Sequence, residues 1–123
     1  MRPSDRKVVG GFTPAVSPAA LKAMRATIRD LNIRRQTQRM LGEIAQMLNP
    51  LLRGWIEYYG RYTPSALYPL FRYVNVTLLA WAQRKFKRFK AHRVRAAGFL
   101  MKLAQTRAEL FVHWQRGMVG GFA

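Results

Sequence analysis

Cysteine is absent from this sequence, which excludes disulfides and thiolate metal sites and leaves the redox compartment open. Carboxylates are nearly as scarce: Asp5, Asp30, Glu43, Glu57 and Glu109 are the five acids in 123 residues. Two-metal phosphoryl chemistry needs carboxylates that converge within a few ångströms, and these five are too dispersed to form a paired motif. His92 and His113 are the only histidines, too few and too far apart for a metal site. Gly10-Gly11 lacks the lysine and the spacing of a phosphate-cradling loop. Ser17 and Ser65 read as cap or turn residues rather than nucleophiles. His113, beside Phe111 and Trp114, reads as a packed residue rather than a general base. Neither a catalytic centre nor a metal or other cofactor is expected. Long apolar runs are missing too. Nothing approaches the roughly 18 uninterrupted apolar residues of a membrane-spanning helix. Residues 1–11 carry charge but no apolar segment, which argues against a signal peptide and leaves the cytoplasm as the default location.

Apolar and basic residues are plentiful. Half of the residues are hydrophobic, enough for one modest core and too much for a disordered polycation. Lys plus Arg number 22, which sets the net charge at +17. Such a fold repels itself until a polyanion neutralises it. Phosphate backbone is the commonest partner of that kind, and an anionic membrane surface is its competitor.

The pattern along the chain is helical. Residues 1–16 mix Pro3, Gly10, Gly11 and Pro14 with charges and read as an extended or disordered lead-in, with room for one short strand at Lys7 to Val9. Ser17-Pro18 is a helix start. Leu21, Met24, Ile28 and Leu31 then share one apolar face, predicting a helix to about residue 31. A second helix is expected from near Thr37, carrying Met40, Leu41, Ile44, Ala45 and Leu48. Proline disfavours helix in the residue before it, so Asn49-Pro50 predicts a break and a third helix from Leu51 to about Tyr59. Thr63-Pro64 repeats the cap-plus-proline start, and Leu67, Leu70, Phe71, Val74, Leu78, Trp81 and Lys85 follow a helical period. Pro69 delays or kinks that start. A shorter helix is expected from Val94 to Leu103, then an apolar docking segment from Ala108 to Trp114. The expectation is an all-α fold: one helical domain of four to six helices over 17–116, with a flexible lead-in over 1–16 and a frayed tail over 117–123.

Basic clusters are the strongest functional signal. Arg34, Arg35 and Arg39 sit at a helix junction, and Arg53 and Arg61 flank the aromatic group Trp55, Tyr58, Tyr59 and Tyr62. The densest run is Arg84, Lys85, Lys87, Arg88 and Lys90 around Phe86 and Phe89, continued by His92, Arg93 and Arg95. Guanidinium groups match phosphate forks, and aromatic or Arg planes stack on unpaired bases. Any one cation also reads as a solvated helix face, as Lys22 and Lys102 do; the set as a whole lacks acids to balance it. Trp55, Phe71, Leu78 and Trp81 read as core by their spacing, and Tyr58, Tyr62 and Phe89 as partly exposed.

Several strings share one family resemblance. Phe12-Thr13-Pro14, Ser17-Pro18, Arg34-Arg35-Gln36-Thr37 and the run from Leu48-Asn49-Pro50 through Arg53-Gly54-Trp55 to Tyr58-Tyr59-Gly60 resemble the maturase-specific region of group II intron reverse transcriptases. Trp81 to Lys87 and Leu110 to Trp114 match that region's later signatures, so the resemblance spans residues 12–116. It implies an α-helical, thumb-like bundle that follows a polymerase domain, binds intron RNA and helps it reach a splicing-competent shape. Arg34, Arg35, Arg53, Tyr58, Arg61, Lys85, Lys87 and Arg88 become RNA-contact candidates by position, and Arg39, Arg84, Lys90 and Arg93 join them through the basic clusters. Gly54 would permit close helix approach, and Trp55 would fill the core. The polymerase's metal-binding aspartates and the endonuclease's Cys/His signature are missing, so the chain reads as a fragment or a free-standing derivative. The expected partner is structured group II intron RNA, with DNA or a separate reverse-transcriptase domain as further candidates. The alternatives are a protein-interaction module that docks on that domain or on itself, and a cationic membrane-active protein.

Overall fold

A computed structural model describes residues 16–59 and 64–122, and these contain five α-helices and no strand. The expected strand at 7–9 lies outside the described residues. Helix α1 (Pro18–Asp30) begins as its sequence predicts: the Ser17 hydroxyl accepts from the Ala20 amide at 3.0 Å, and Pro18 fills the first turn. It buries Met24 and Ile28 and ends where Asn32 turns left-handed, φ 57°, a conformation that asparagine tolerates better than most residues. A tight turn at Ile33–Arg35 follows, pinned by fully buried Ile33.

Helix α2 runs unbroken from Leu41 to Tyr59, with Pro50 inside it. The expected break at Asn49-Pro50 is therefore corrected, and the helix starts four residues later than Thr37. Its start is set by Glu43, whose carboxylate accepts from the Met40 amide at 2.7 Å. Two effects carry the helix through the proline. Ile44, Leu48, Leu52 and Ile56 form one buried stripe across it, and a break would take half of that stripe out of the core. Asn49 is also held from outside: its amide donates to the Leu110 carbonyl at 2.9 Å, and its oxygen accepts from the Val112 amide at 3.0 Å. Pro50 removes one backbone donor from the helix, while Asn49 binds the C-terminal segment.

Helix α3 (Tyr68–Lys85) is the centre of the fold. The Pro64–Leu67 turn precedes it, and Pro69 lies in its first turn, which accounts for the delayed start. Leu70, Phe71, Val74, Leu78, Leu79, Trp81 and Ala82 are all buried, and α3 packs on α1, on α4 (Arg93–Thr106) and on the turns at 33–35 and 87–89. Gly54 and Trp55 depart from expectation. A Cβ on Gly54 would meet nothing within 4 Å, so no neighbouring helix needs a glycine there. Trp55 is half-buried on a groove between α1 and α2 of about 430 Å³, which it shares with Met24, Gly54, Tyr58 and Tyr59. Phe89 is buried against Phe86 and Phe99 rather than partly exposed.

The C-terminal segment is locked by the one buried asparagine among the described residues. The Asn75 oxygen accepts from Trp114 Nε1 at 3.0 Å and lies 2.7 Å from His113 Nε2. Its amide donates to the carbonyls of Gly120 at 2.6 Å and Met118 at 3.3 Å. Those two carbonyls fix which way the amide points, so His113 must carry its proton on Nε2 and donate. Phe122 is 3% exposed and packs its ring on Trp114. The tail expected to fray is therefore docked as far as residue 122, through a helix α5 of four residues, Val112–Gln115.

His113 is fully buried, its Nδ1 has no hydrogen-bond partner, and desolvation pushes its pKa down to about 3. The neutral imidazole thus favours the fold at neutral pH. Below the ordinary histidine value of 6.5 the unfolded chain takes up a proton that the folded chain refuses, so stability falls as pH drops. Between pH 7 and pH 5 the expected loss is about 2 kcal/mol. Urea melts at the two pH values measure it, and His113→Gln, which keeps a donor for Asn75, should remove most of the difference.

Candidate nucleic-acid interface

The C-terminal end of α3 builds the candidate interface by holding the 36–39 segment against itself. Trp81 Nε1 donates to the Gln36 carbonyl at 2.9 Å. Lys85 Nζ donates to the carbonyls of Thr37 at 2.7 Å and Arg39 at 2.9 Å, and lies 5.5 Å from the Trp81 ring centroid. Gln36 in turn donates to the Leu31 carbonyl and accepts from Arg39 Nε. The turn carrying Arg34 and Arg35 is thereby fixed beside α3. Beyond α3, Gln83 donates to the Phe89 carbonyl at 3.2 Å and holds the Lys87–Phe89 turn.

These anchors bring cations from four stretches of chain to one face. Arg34, Arg84, Lys85, Lys87, Lys90 and Arg93 line a cleft of about 690 Å³ together with Thr37, Ala80 and Gln83. A neighbouring concavity of about 550 Å³ shares Arg34, Arg84 and Arg93 and adds Arg29 and Arg35. Neither lining contains a carboxylate. Arg34, Arg84, Lys87, Lys90 and Arg93 meet no acid within 4 Å among the described residues, whereas Arg29 touches Asp30 at 4.0 Å. A concave, uncompensated cationic surface focuses a positive potential outward.

The other expected contacts are placed elsewhere. Arg88 lies outside the cleft lining, with its guanidinium 4.7 Å from the Phe89 ring and 5.6 Å from those of Phe86 and Phe99, capping that aromatic cluster. Arg39 is half-buried and turned to Gln36 and to Glu43, at 3.1 and 3.9 Å. Arg53 and Tyr58 are exposed on α2, away from the cleft, and Tyr58 is 75% exposed over the α1–α2 groove. Arg61 lies outside the described residues. Arg29 joins the basic face unanticipated: the apolar period of α1 marks it as off-face, but its neighbours across the fold are not written in α1. Among the described residues no three His, Cys, Asp or Glu side chains group as metal ligands, and no helix is long and apolar enough to cross a membrane.

Fold and site together define a small all-α domain that gathers arginine and lysine on one concave face. The profile of one protein family, described as Group II intron, maturase-specific domain, matches residues 21–98. The chain belongs to that family, and its role therefore lies with group II intron splicing. No curated protein and no solved structure matches it.

Lys85 separates from its basic neighbours by what its ammonium holds. Lys85→Met should lower stability by about 2 kcal/mol, the loss of two charge-assisted hydrogen bonds at a half-buried site. Lys87→Met, whose side chain is exposed on the turn that follows α3, should change stability by less than about 0.5 kcal/mol. Paired denaturant titrations check the contrast. A second comparison tests Gly54: Gly54→Ala should stabilise the fold by about 1 kcal/mol, because the added methyl meets open space and alanine favours helix.

Proposed function

We propose that this chain binds group II intron RNA on its cationic cleft and favours the splicing-competent shape of that RNA, with no catalytic step of its own. The observation that carries this reading is the convergence of Arg34, Arg84, Lys87, Lys90 and Arg93 on one face without a carboxylate in its lining. The three arginines can fork phosphate oxygens, and the two lysines act as mobile point charges. Each phosphate engaged releases condensed counterions, so the charge that strains the free domain becomes binding free energy.

The same geometry suggests how binding would act on RNA structure. The cations come from the 33–35 turn, α3, the 87–90 turn and α4; Lys85, Trp81 and Gln83 fix the two turns to α3, and α4 packs on α3. A rigid array of this kind suits phosphates that are already held close together. A compact RNA presents such phosphates from separate strands, and an open one does not. Tighter binding to the compact form shifts the population toward it. Membership of the maturase-specific family supports the choice of RNA.

With about six phosphates engaged, the logarithm of affinity should fall against the logarithm of salt with a slope of about −5. Filter binding to a group II intron transcript between about 50 and about 200 mM salt measures that slope. Lys87→Gln, Lys90→Gln and Arg93→Gln should each reduce it by about one. A salt-independent affinity would rule the reading out.

A further inference from the structure

Helix α4 buries one side and leaves the other uncovered. Ala96, Leu100 and Ala104 are fully buried at intervals of four. On the far side Val94 is 83% exposed and Met101 45% exposed, with Gly98 and Gln105 also exposed. Positions 94, 98, 101 and 105 follow the spacing of three and four by which one helix lies along another. Gly98 stands in the middle of this row. A Cβ built there would meet nothing within 4 Å, so no contact within the domain requires glycine, although glycine weakens a helix interior. A position without a side chain, set between exposed Val94 and Met101, lets a second backbone come close.

Charge then narrows the occupant. Helix α4 carries no carboxylate. Arg95 and Lys102, seven residues apart, lie exposed along one flank of the row, and neither meets an acid within 4 Å among the described residues. A second copy would set these cations against those of another chain of net charge +17, which like-charge repulsion opposes. Phosphate would satisfy Arg95 and Lys102 but would leave Val94 and Met101 against a hydrated backbone. Only a partner that is both apolar and acidic answers the whole face. We propose that the exposed side of α4 docks an acidic amphipathic helix of a separate protein, its apolar row on Val94, Gly98 and Met101 and its carboxylates on Arg95 and Lys102. This surface is separate from the cleft. Arg93, the α4 residue in the cleft lining, is five positions from Gly98 and so lies well round the helix from the row.

The probe is a synthetic helical peptide with a leucine–alanine seam and glutamate flanks. Its control is a peptide of the same composition, scrambled so that the leucines no longer share a face. Fluorescence anisotropy on the full chain without RNA should show the seam peptide binding about tenfold more tightly than the control. Val94→Lys combined with Met101→Lys adds positive charge, so purely electrostatic binding would strengthen; the expected result is loss of the seam preference. Gly98→Leu should abolish the preference too, while helicity and melting temperature hold or rise, since leucine favours helix. Equal binding of the two peptides, or a preference that survives in the double variant, overturns the proposal. A Gly98→Leu chain that loses affinity for intron RNA assigns the face to RNA and overturns it. A dimer disrupted by Val94→Lys assigns it to a second copy and likewise overturns it.

Discussion

Like charges are held together here against their own repulsion, and the rest of the structure follows from how that is done. Two unit charges about 8 Å apart in water repel by about 0.5 kcal/mol before screening, and a cleft that gathers several cations pays that term for many pairs. The opposing force is burial along α3, whose side chains Leu70, Phe71, Val74, Leu78, Leu79, Trp81 and Ala82 are almost wholly removed from water. Each large side chain buried contributes roughly 1.5–3 kcal/mol, several times the repulsion of one such pair. The cations sit at the edge of this core, on its C-terminal end and on the turns it grips. There they remain hydrated and screened.

One cation works inward instead. Lys85 lies within a basic run, yet its ammonium is directed at two backbone carbonyls and at the face of Trp81. It acts as a clamp on the 36–39 segment, and through that segment it positions Arg34 and Arg35. Arg88 is a milder case of the same division, since its guanidinium covers three phenyl rings while its edge stays exposed. Positive charge in this family member therefore serves two purposes: some of it shapes the face, and the remainder faces outward from it.

Two asparagines do comparable work at the other end of the molecule. Asn49 satisfies the Leu110 carbonyl and the amide of Val112, the first residue of α5, and Asn75 gathers His113, Trp114 and the carbonyls of Met118 and Gly120. Each carboxamide offers donors and an acceptor in one plane, so a single side chain can bind irregular backbone that helices cannot pair. Because Asn75 is fully buried on the central helix, the chain beyond residue 110 belongs to the same core as the cleft. The arrangement leaves His113 Nδ1 without a partner, and burial pushes the imidazole pKa well below its ordinary value.

The sequence by itself determined the helical class, the start of α1 at Ser17-Pro18, the stripes that face the core, the family and the presence of excess positive charge. These are matters of local chemistry and periodicity, which neighbouring residues settle among themselves. It misjudged Asn49-Pro50, because a local rule about proline was overridden by a buried stripe running past it and by an asparagine bonded to residues more than sixty positions away. It misjudged the tail for the same reason, since Phe122 and the carbonyls near it are held by Trp114 and Asn75 rather than by their neighbours. Six of the residues expected to contact RNA line one cleft, Lys85 among them with its ammonium turned partly inward, while Arg53 and Tyr58 stay on α2. Only the tertiary structure could make that division. Which cations face the same solvent depends on how helices pack, and packing is fixed by contacts between residues far apart in the chain.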